Sequence, residues 1–430
     1  FKMNMKNFFN VTRFFLLTFI TILLVGCHNR NPRNHKSLTG WTSKDKAAAG
    51  FSEDKDYKGQ EAPPGMVLIE GGAFTMGRLE QDVMFEWNNT PRRVTVRSFY
   101  LDETEITNQH WVDYLHWTRR TYTDFPLIFK KALPDTLVWR SALAYNEPYV
   151  SNYLRHPSYS NYPVVGVSWT QANEYCKWRT NLVNLKRLID RGHIKNIFEN
   201  DSVSNLFDTE LFLSNSNLLF NGDSTIYKKG VPIRDLRKRR EKKQKRSGFK
   251  GRKISKNDGI LIQRFRLPTE AEWEYASRGN YDQSPYPWGG PYIRNRRGCF
   301  LGNFKPLRGN YVDDGGLHTI VVAHYWPNGF GLYDMSGNVS EWTANSFDEA
   351  AYNFAHDLNM DYRYQAIESD YAVLKRKVIR GGSWKDIGYY MQTGSRTYEY
   401  QDTSKCYVGF RCVETYLGRK KEDNRDSQVY

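Results

Sequence analysis

Apolar and polar positions follow two periods along the chain. Between residues 66 and 76, Met-Val-Leu-Ile-Glu-Gly-Gly-Ala-Phe-Thr-Met reads as two short strands joined at a Gly-Gly turn. Residues 92–101 begin with strict alternation, Val94 and Val96 sharing one face. The period then lengthens: Thr107 stands at a cap position, and Trp111, Tyr114 and Leu115 follow at helical spacing. A second helix is predicted after residues 163–168 (Pro-Val-Val-Gly-Val-Ser), carrying Ala172, Tyr175, Cys176, Arg179, Leu182 and Val183. A third starts at Thr269, whose hydroxyl caps while Glu272 answers three residues later. Beyond about residue 280 the chain is rich in Gly, Asn and Asp, with short aromatic strands and no internal repeat. Between the second and third helices an insertion, about 183–261, holds an Asn/Ser/Asp-rich piece and a basic block; the block reads as a solvated loop or charged helix face, or as a contact for an acidic partner or anionic lipid headgroups.

One apolar stretch behaves differently. Residues 14–24 (FFLLTFITILL) follow Lys2, Lys6 and Arg13, and are too short to span a bilayer as a helix. The run closes on Leu24-Val-Gly-Cys27, which resembles a bacterial lipobox, with Cys27 as the lipidated residue and 1–26 as the signal peptide. Acyl chains on that thiol would anchor the chain, each buried CH₂ contributing about 0.8 kcal/mol. Residues 27–62 are polar and read as a flexible tether. Export places the other four cysteines in an oxidising compartment.

Charge narrows the partners. The net charge is +15, but residues 1–26 carry +3 and residues 234–253 carry +10, which leaves +2 for the remainder. A near-neutral body with one basic block does not have the electrostatics of a nucleic-acid binder.

Five segments in order carry a family resemblance. They are Gly65-Met-Val-Leu-Ile-Glu-Gly-Gly-Ala-Phe-Thr-Met-Gly77 and Asp102-Glu-Thr-Glu-Ile-Thr-Asn108, then Pro163-Val-Val-Gly-Val-Ser-Trp169, then Arg266-Leu-Pro-Thr-Glu-Ala-Glu-Trp-Glu-Tyr-Ala276. The last is a C-terminal set: Asn328-Gly-Phe-Gly-Leu-Tyr-Asp-Met-Ser-Gly-Asn-Val-Ser-Glu-Trp342, Arg380-Gly-Gly-Ser-Trp384 and Gly409-Phe-Arg-Cys412. Together they resemble the formylglycine-generating-enzyme (sulfatase-modifying-factor) domain. That resemblance implies an α+β, C-type-lectin-like fold with little regular secondary structure. The domain would cover residues 63–418, with insertions at about 183–261 and 346–376 and a charged tail at 419–430.

Active members of that family oxidise a substrate cysteine using two cysteines, five residues apart, that hold Cu(I) between the RGGS and GFRC motifs. Copper(I) requires soft thiolates. Here the interval 385–405 contains neither cysteine nor histidine, and the nine histidines show no metal-ligand spacing. The expectation is therefore no copper and no oxidase activity. The resemblance further implies a disulfide between Cys176 and Cys412, with Cys299 and Cys406 either paired or free. It also implies two calcium sites: Asn303, the Phe304 carbonyl and Asp314; and Asn338, the Val339 carbonyl and Glu341. Hard oxygens in a turn-rich segment suit that ion, although Asn and Asp also build turns unaided. The aromatic residues Trp384, Tyr389, Tyr390 and Tyr398 either line a groove for a partner's extended segment or fill a core.

Further segments, at 86–96, 132–139, 144–150, 304–310 and 397–402, resemble gliding-motility lipoproteins. This implies a Bacteroidetes-type outer membrane, a periplasm-facing lipid anchor, and a structural place in gliding and type IX secretion beside GldK- and GldN-like partners. The alternatives are an enzyme of the sulfatase-modifying type with altered chemistry and a calcium-dependent glycan-binding module. The leader generates a direct test. Cys27→Ala should move the protein from the membrane fraction to the soluble fraction, and intact-mass measurement should lose the acyl increment; an unmodified Cys27 in the membrane-bound protein would refute the anchor.

Overall fold

The computed structural model describes residues 59–78, 84–197, 206–228, 230, 253–306 and 310–418. The leader, Cys27, most of the tether, nearly all of the basic block and the charged tail lie outside the described residues.

The strands come in hairpins at both ends of the described chain. They are β1 (Met66–Ile69), β2 (Gly72–Met76), β3 (Arg92–Val96), β4 (Phe99–Asp102), β5 (Ser340–Ser346), β6 (Arg376–Arg380), β7 (Thr397–Tyr400), β8 (Val408–Gly409) and β9 (Val413–Thr415). The Gly-Gly turn between β1 and β2 does not join partners, however. β2 pairs antiparallel with β3, Phe74 opposite Val94, while β1 pairs with β4, and β4 pairs in turn with β9. A third sheet runs in the order β7-β6-β5-β8, with β8 parallel to β5. β9, the last strand among the described residues, thus closes the β1–β4 sheet.

Helices fill the long connections. They are α1 (Asn108–Thr121), α2 (Pro126–Ala132), α3 (Glu147–Asn152), α4 (Trp169–Asp190), α5 (Thr209–Asn215), α6 (Glu270–Arg278) and α7 (Ala351–Phe354). Thr107 caps α1 as predicted, but the reciprocal acceptor is imidazole: Thr107 N donates to His110 Nδ1. Ser168 and Gln171 form the same box on α4, and Thr269 and Glu272 form it on α6. Gly279, at φ +55°, ends α6 in a conformation that favours glycine.

Two clusters form the core. In one, Trp111 of α1 stacks on Tyr175 of α4 with centroids 5.4 Å apart and meets Phe410 edge-on. In the other, Trp273 of α6 packs with Ile69, Phe99, Leu101 and Val413. α4 continues seven residues past Val183, so the first insertion begins inside a helix rather than at its end. Its described residues are not plain loop: Leu185 and Leu188 join Ile194, Ile197, Phe207, Phe212, Phe220 and Ile260 in a satellite core. Asp208, in the Asn/Ser/Asp-rich piece, caps α5. The second insertion is also anchored, since Ala351, Tyr352 and Met360 belong to the Trp273 cluster.

Trp111 is fully buried, and its Nε1 donates to the Ala132 carbonyl at 3.2 Å. Trp111→Ala should therefore lower stability by about 3–5 kcal/mol in urea unfolding. Exposed Leu137→Ala should change it by no more than about 0.5 kcal/mol.

Candidate functional site

The Gly-Phe-Arg-Cys motif places Arg411 at the centre of the domain with no exposed surface. An arginine there must find partners for every N–H. Its Nε donates to both Glu341 oxygens at 2.8 Å and its Nη2 to Glu341 Oε1 at 2.6 Å. The remaining donors reach the carbonyls of Asp102 (3.1 Å), Glu103 (3.4 Å) and Tyr333 (2.9 Å). Trp273 Nε1 donates to Glu341 Oε2 at 2.7 Å. One guanidinium thus ties the end of β4, the Asn328–Trp342 motif and β5 together.

This arrangement engages the side-chain oxygens of the second predicted calcium site. Both Glu341 oxygens are taken by Arg411 and Trp273. Asn338 Oδ1 accepts from Ile320 N at 2.9 Å, and its amide donates to Glu105 Oε1 at 3.1 Å. Neither side chain offers an open oxygen to an ion. The open oxygens lie beside them instead. Glu105 Oε2 and Asp334 Oδ1 are buried and accept from no N–H group among the described residues, and the two carboxyls lie within hydrogen-bonding reach of each other. Burial, and then the neighbouring Asp334, push the Glu105 carboxyl well above its usual range. Burial pushes Asp334 up to about 6. Asp334 and Asn338 both sit at positive φ, 54° and 60°, a conformation that Asp and Asn tolerate. Sequence reading missed Glu105 and Asp334; their signal was position inside the Asp102–Asn108 and Asn328–Trp342 motifs.

The first calcium site fits better. Asn303 Oδ1 is buried without a partner among the described residues, and its amide donates to the His318 carbonyl at 2.7 Å. Among the described residues Asp314 accepts from backbone N–H groups, Phe304 at 3.2 Å and Gly316 at 3.3 Å among them, and burial raises its pKa. Gly337 holds this wall in place: at φ +87°, a Cβ there would lie 2.3 Å from the Asn303 carbonyl oxygen. Among the described residues no group of three or more His, Cys, Asp or Glu side chains is arranged to hold a metal. An ion at Asn303 would therefore rely on amide and backbone oxygens besides Asp314, which is ordinary for calcium.

The Arg380–Trp384 motif starts a second buried network. Arg380 pairs with Glu274, which also accepts from Arg278 Nη2 at 2.6 Å, while Arg396 Nε donates to Glu270 at 2.7 Å. The glutamates of the α6 motif are thus structural partners of arginines. After the motif, Ser383 Oγ donates to Asp386 Oδ2 at 2.6 Å.

The predicted groove aromatics fall in three places. Trp384 stacks on Trp139, with centroids 6.1 Å apart, and meets His318 at 4.6 Å. Tyr389 packs edge-on against Tyr390 and lies under Arg78. Tyr398, on β7, packs against Phe347. β7 lies at one edge of the third sheet. Cys176 and Cys412 do meet in the core, as thiols with sulfurs 3.4 Å apart rather than as the expected disulfide. Cys299 is exposed; Cys406 is half-buried and packs against the Trp139 cluster.

With this geometry in view, comparisons with known proteins are informative. The model of the sulfatase-modifying factor enzyme 1-like domain matches residues 52–416. The inactive C-alpha-formylglycine-generating enzyme 2 of Mus musculus is 24% identical over 388 residues, spanning 85% of this chain and 90% of its own. The formylglycine-generating enzyme of the same organism is 24% identical over 401 residues, spanning 86% and 82%. That of Thermomonospora curvata is 35% identical over 169 residues, 37% of this chain and 54% of its own. Among solved structures, PvdO from Pseudomonas aeruginosa is 19% identical, with a TM-score of 0.48 and coverage of 81% and 93%.

The acidic pair generates a pH prediction. Because the folded pKa of Asp334 is raised, the folded state holds a proton that the unfolded chain releases, so stability is lost as pH rises from about 3.8 to about 6. With chelator present, the melting temperature should fall over that window, and Asp334→Asn should flatten the fall. An unchanged slope in the variant would remove Asp334 as its cause.

Proposed function

The chain belongs to the sulfatase-modifying factor enzyme 1-like domain family, and on that premise we propose that it is a non-catalytic scaffold of the gliding and type IX secretion machinery, a lipoprotein of the GldJ type held on the outer membrane through Cys27. The observation that carries the non-catalytic half is the interval 385–405, which holds no cysteine or histidine between the RGGS and GFRC motifs. Copper(I) needs soft ligands, and the side chains there do not supply a thiolate pair. Cys412 is engaged with Cys176 in the core. The residues do not fit copper, and no redox step is assigned to them.

What the domain retains is rigidity. Buried arginine–glutamate pairs and a turn-rich wall around Asn303 and Asp314 support a docking body of fixed shape, with calcium at Asn303, the Phe304 carbonyl and Asp314. The two insertions, each anchored by its own buried residues, would present partner-specific surfaces to GldK- and GldN-like proteins.

The competing reading is an enzyme of the formylglycine-generating type with altered chemistry. It draws on the 35% identity over 169 residues shared with the Thermomonospora curvata enzyme and on the half-buried Ser383–Asp386 pair. A cysteine-containing peptide incubated with the protein and copper separates the two. The scaffold reading expects an unchanged peptide mass, and conversion of the thiol to an aldehyde would overturn it. Crosslinking in intact envelopes should recover gliding or secretion components; only uncrosslinked monomer would count against the scaffold. Millimolar calcium should raise the melting temperature, by about 2.7 kcal/mol of stabilisation at a hundred times Kd, and Asn303→Ala with Asp314→Ala should abolish the rise.

A further inference from the structure

The connection between α1 and α3 presents an apolar surface that the described residues leave open to solvent. Phe125 and Leu127 are 64% and 67% exposed, and Ile128 is 40% exposed. These are not loose loop residues. Pro126 occupies the first turn of α2, where its fixed φ suits helix entry. At the other end, Ala132 is buried and its carbonyl accepts from Trp111 Nε1. Phe129 turns inward against the Trp111 cluster. The helix is clamped along one side, which forces Phe125, Leu127 and Ile128 outward together. At these exposures the side chains protrude rather than line a hollow.

The rim of this tip is basic. Arg119 and Arg120 fill the last turn of α1, and Lys130 and Lys131 the last turn of α2. All four are exposed. Asp124 is the one acid between residues 119 and 133, and Lys130 and Lys131 form no ion pair among the described residues. Exposed aromatic and aliphatic side chains with exposed cations on the same and the preceding helix match the layering of an anionic bilayer surface, with phosphates above and acyl chains below.

We propose that the tip of residues 125–131 is a membrane-docking surface: Phe125, Leu127 and Ile128 enter the headgroup–acyl boundary while Lys130, Lys131 and Arg119 contact lipid phosphates. An acyl chain at Cys27 is not needed for this contact. The domain would have a second point of attachment, which fixes which side of it faces the bilayer. An acidic protein surface is the competing occupant, and the test separates the two.

The experiment is flotation of the full chain, carrying Cys27→Ala to remove any acyl contribution, with vesicles of phosphatidylcholine alone or with phosphatidylglycerol added. Binding should require the anionic lipid and weaken with salt. Phe125→Ser with Ile128→Ser, and separately Lys130→Glu with Lys131→Glu, should each reduce it on the order of tenfold or more. Neither pair touches the 234–253 basic block, so binding that persists unchanged in both variants locates the contact there and overturns the proposal. So does crosslinking of a photoreactive residue at position 127 in the envelope to protein rather than lipid. The substituted side chains are exposed, and an unchanged melting temperature shows that the variants fold.

Discussion

The Arg411–Glu341 pair is the constraint on which the rest of the domain depends. A guanidinium and a carboxylate removed from water are each costly to bury, and they are tolerated only when the geometry satisfies both. Here all the donors of Arg411 find oxygens, and Trp273 completes Glu341. Losing one partner of such a pair costs about 3–5 kcal/mol because the other is left buried and uncompensated. The short strands and long turns around the pair have few ladder hydrogen bonds of their own. Their positions are fixed from inside, by one charged cross-piece that reaches β4, β5 and the turn at Tyr333.

The interval 385–405 is itself tied into the charged core, because Arg396 Nε donates to Glu270 and the Thr393 carbonyl accepts from Arg380; its side chains are structural partners and include no thiolate. The family resemblance is therefore informative about architecture and much less so about chemistry, and the functional proposal rests on what stands in that interval.

The insertions show how a large domain absorbs extra chain. The first begins within α4, whose last two turns leave the main core and supply Leu185 and Leu188 to a separate apolar cluster. In its Asn/Ser/Asp-rich piece, Asp208 and its neighbours are cap and turn formers, and that chemistry starts α5. The second insertion returns Tyr352 to the main core, where its hydroxyl donates to Glu270 at 3.1 Å.

Local signals in the sequence specified the elements whose information is local. Thr107, Ser168 and Thr269 mark the three long helix starts because a cap needs only a hydroxyl and an acceptor three residues on. Alternation located β3, and the ordered motifs identified the family. That residues 385–405 contain no cysteine or histidine is likewise read from composition alone. Tertiary structure decided everything that depends on pairing across distance. It paired Glu341 with Arg411, brought Glu105 beside Asp334, set Cys176 against Cys412 as thiols, and distributed the aromatics of the 384–398 segment among three packing sites. Those outcomes follow from which buried charge finds which partner, and residues far apart in the chain become partners only when the strands and helices between them have closed the core.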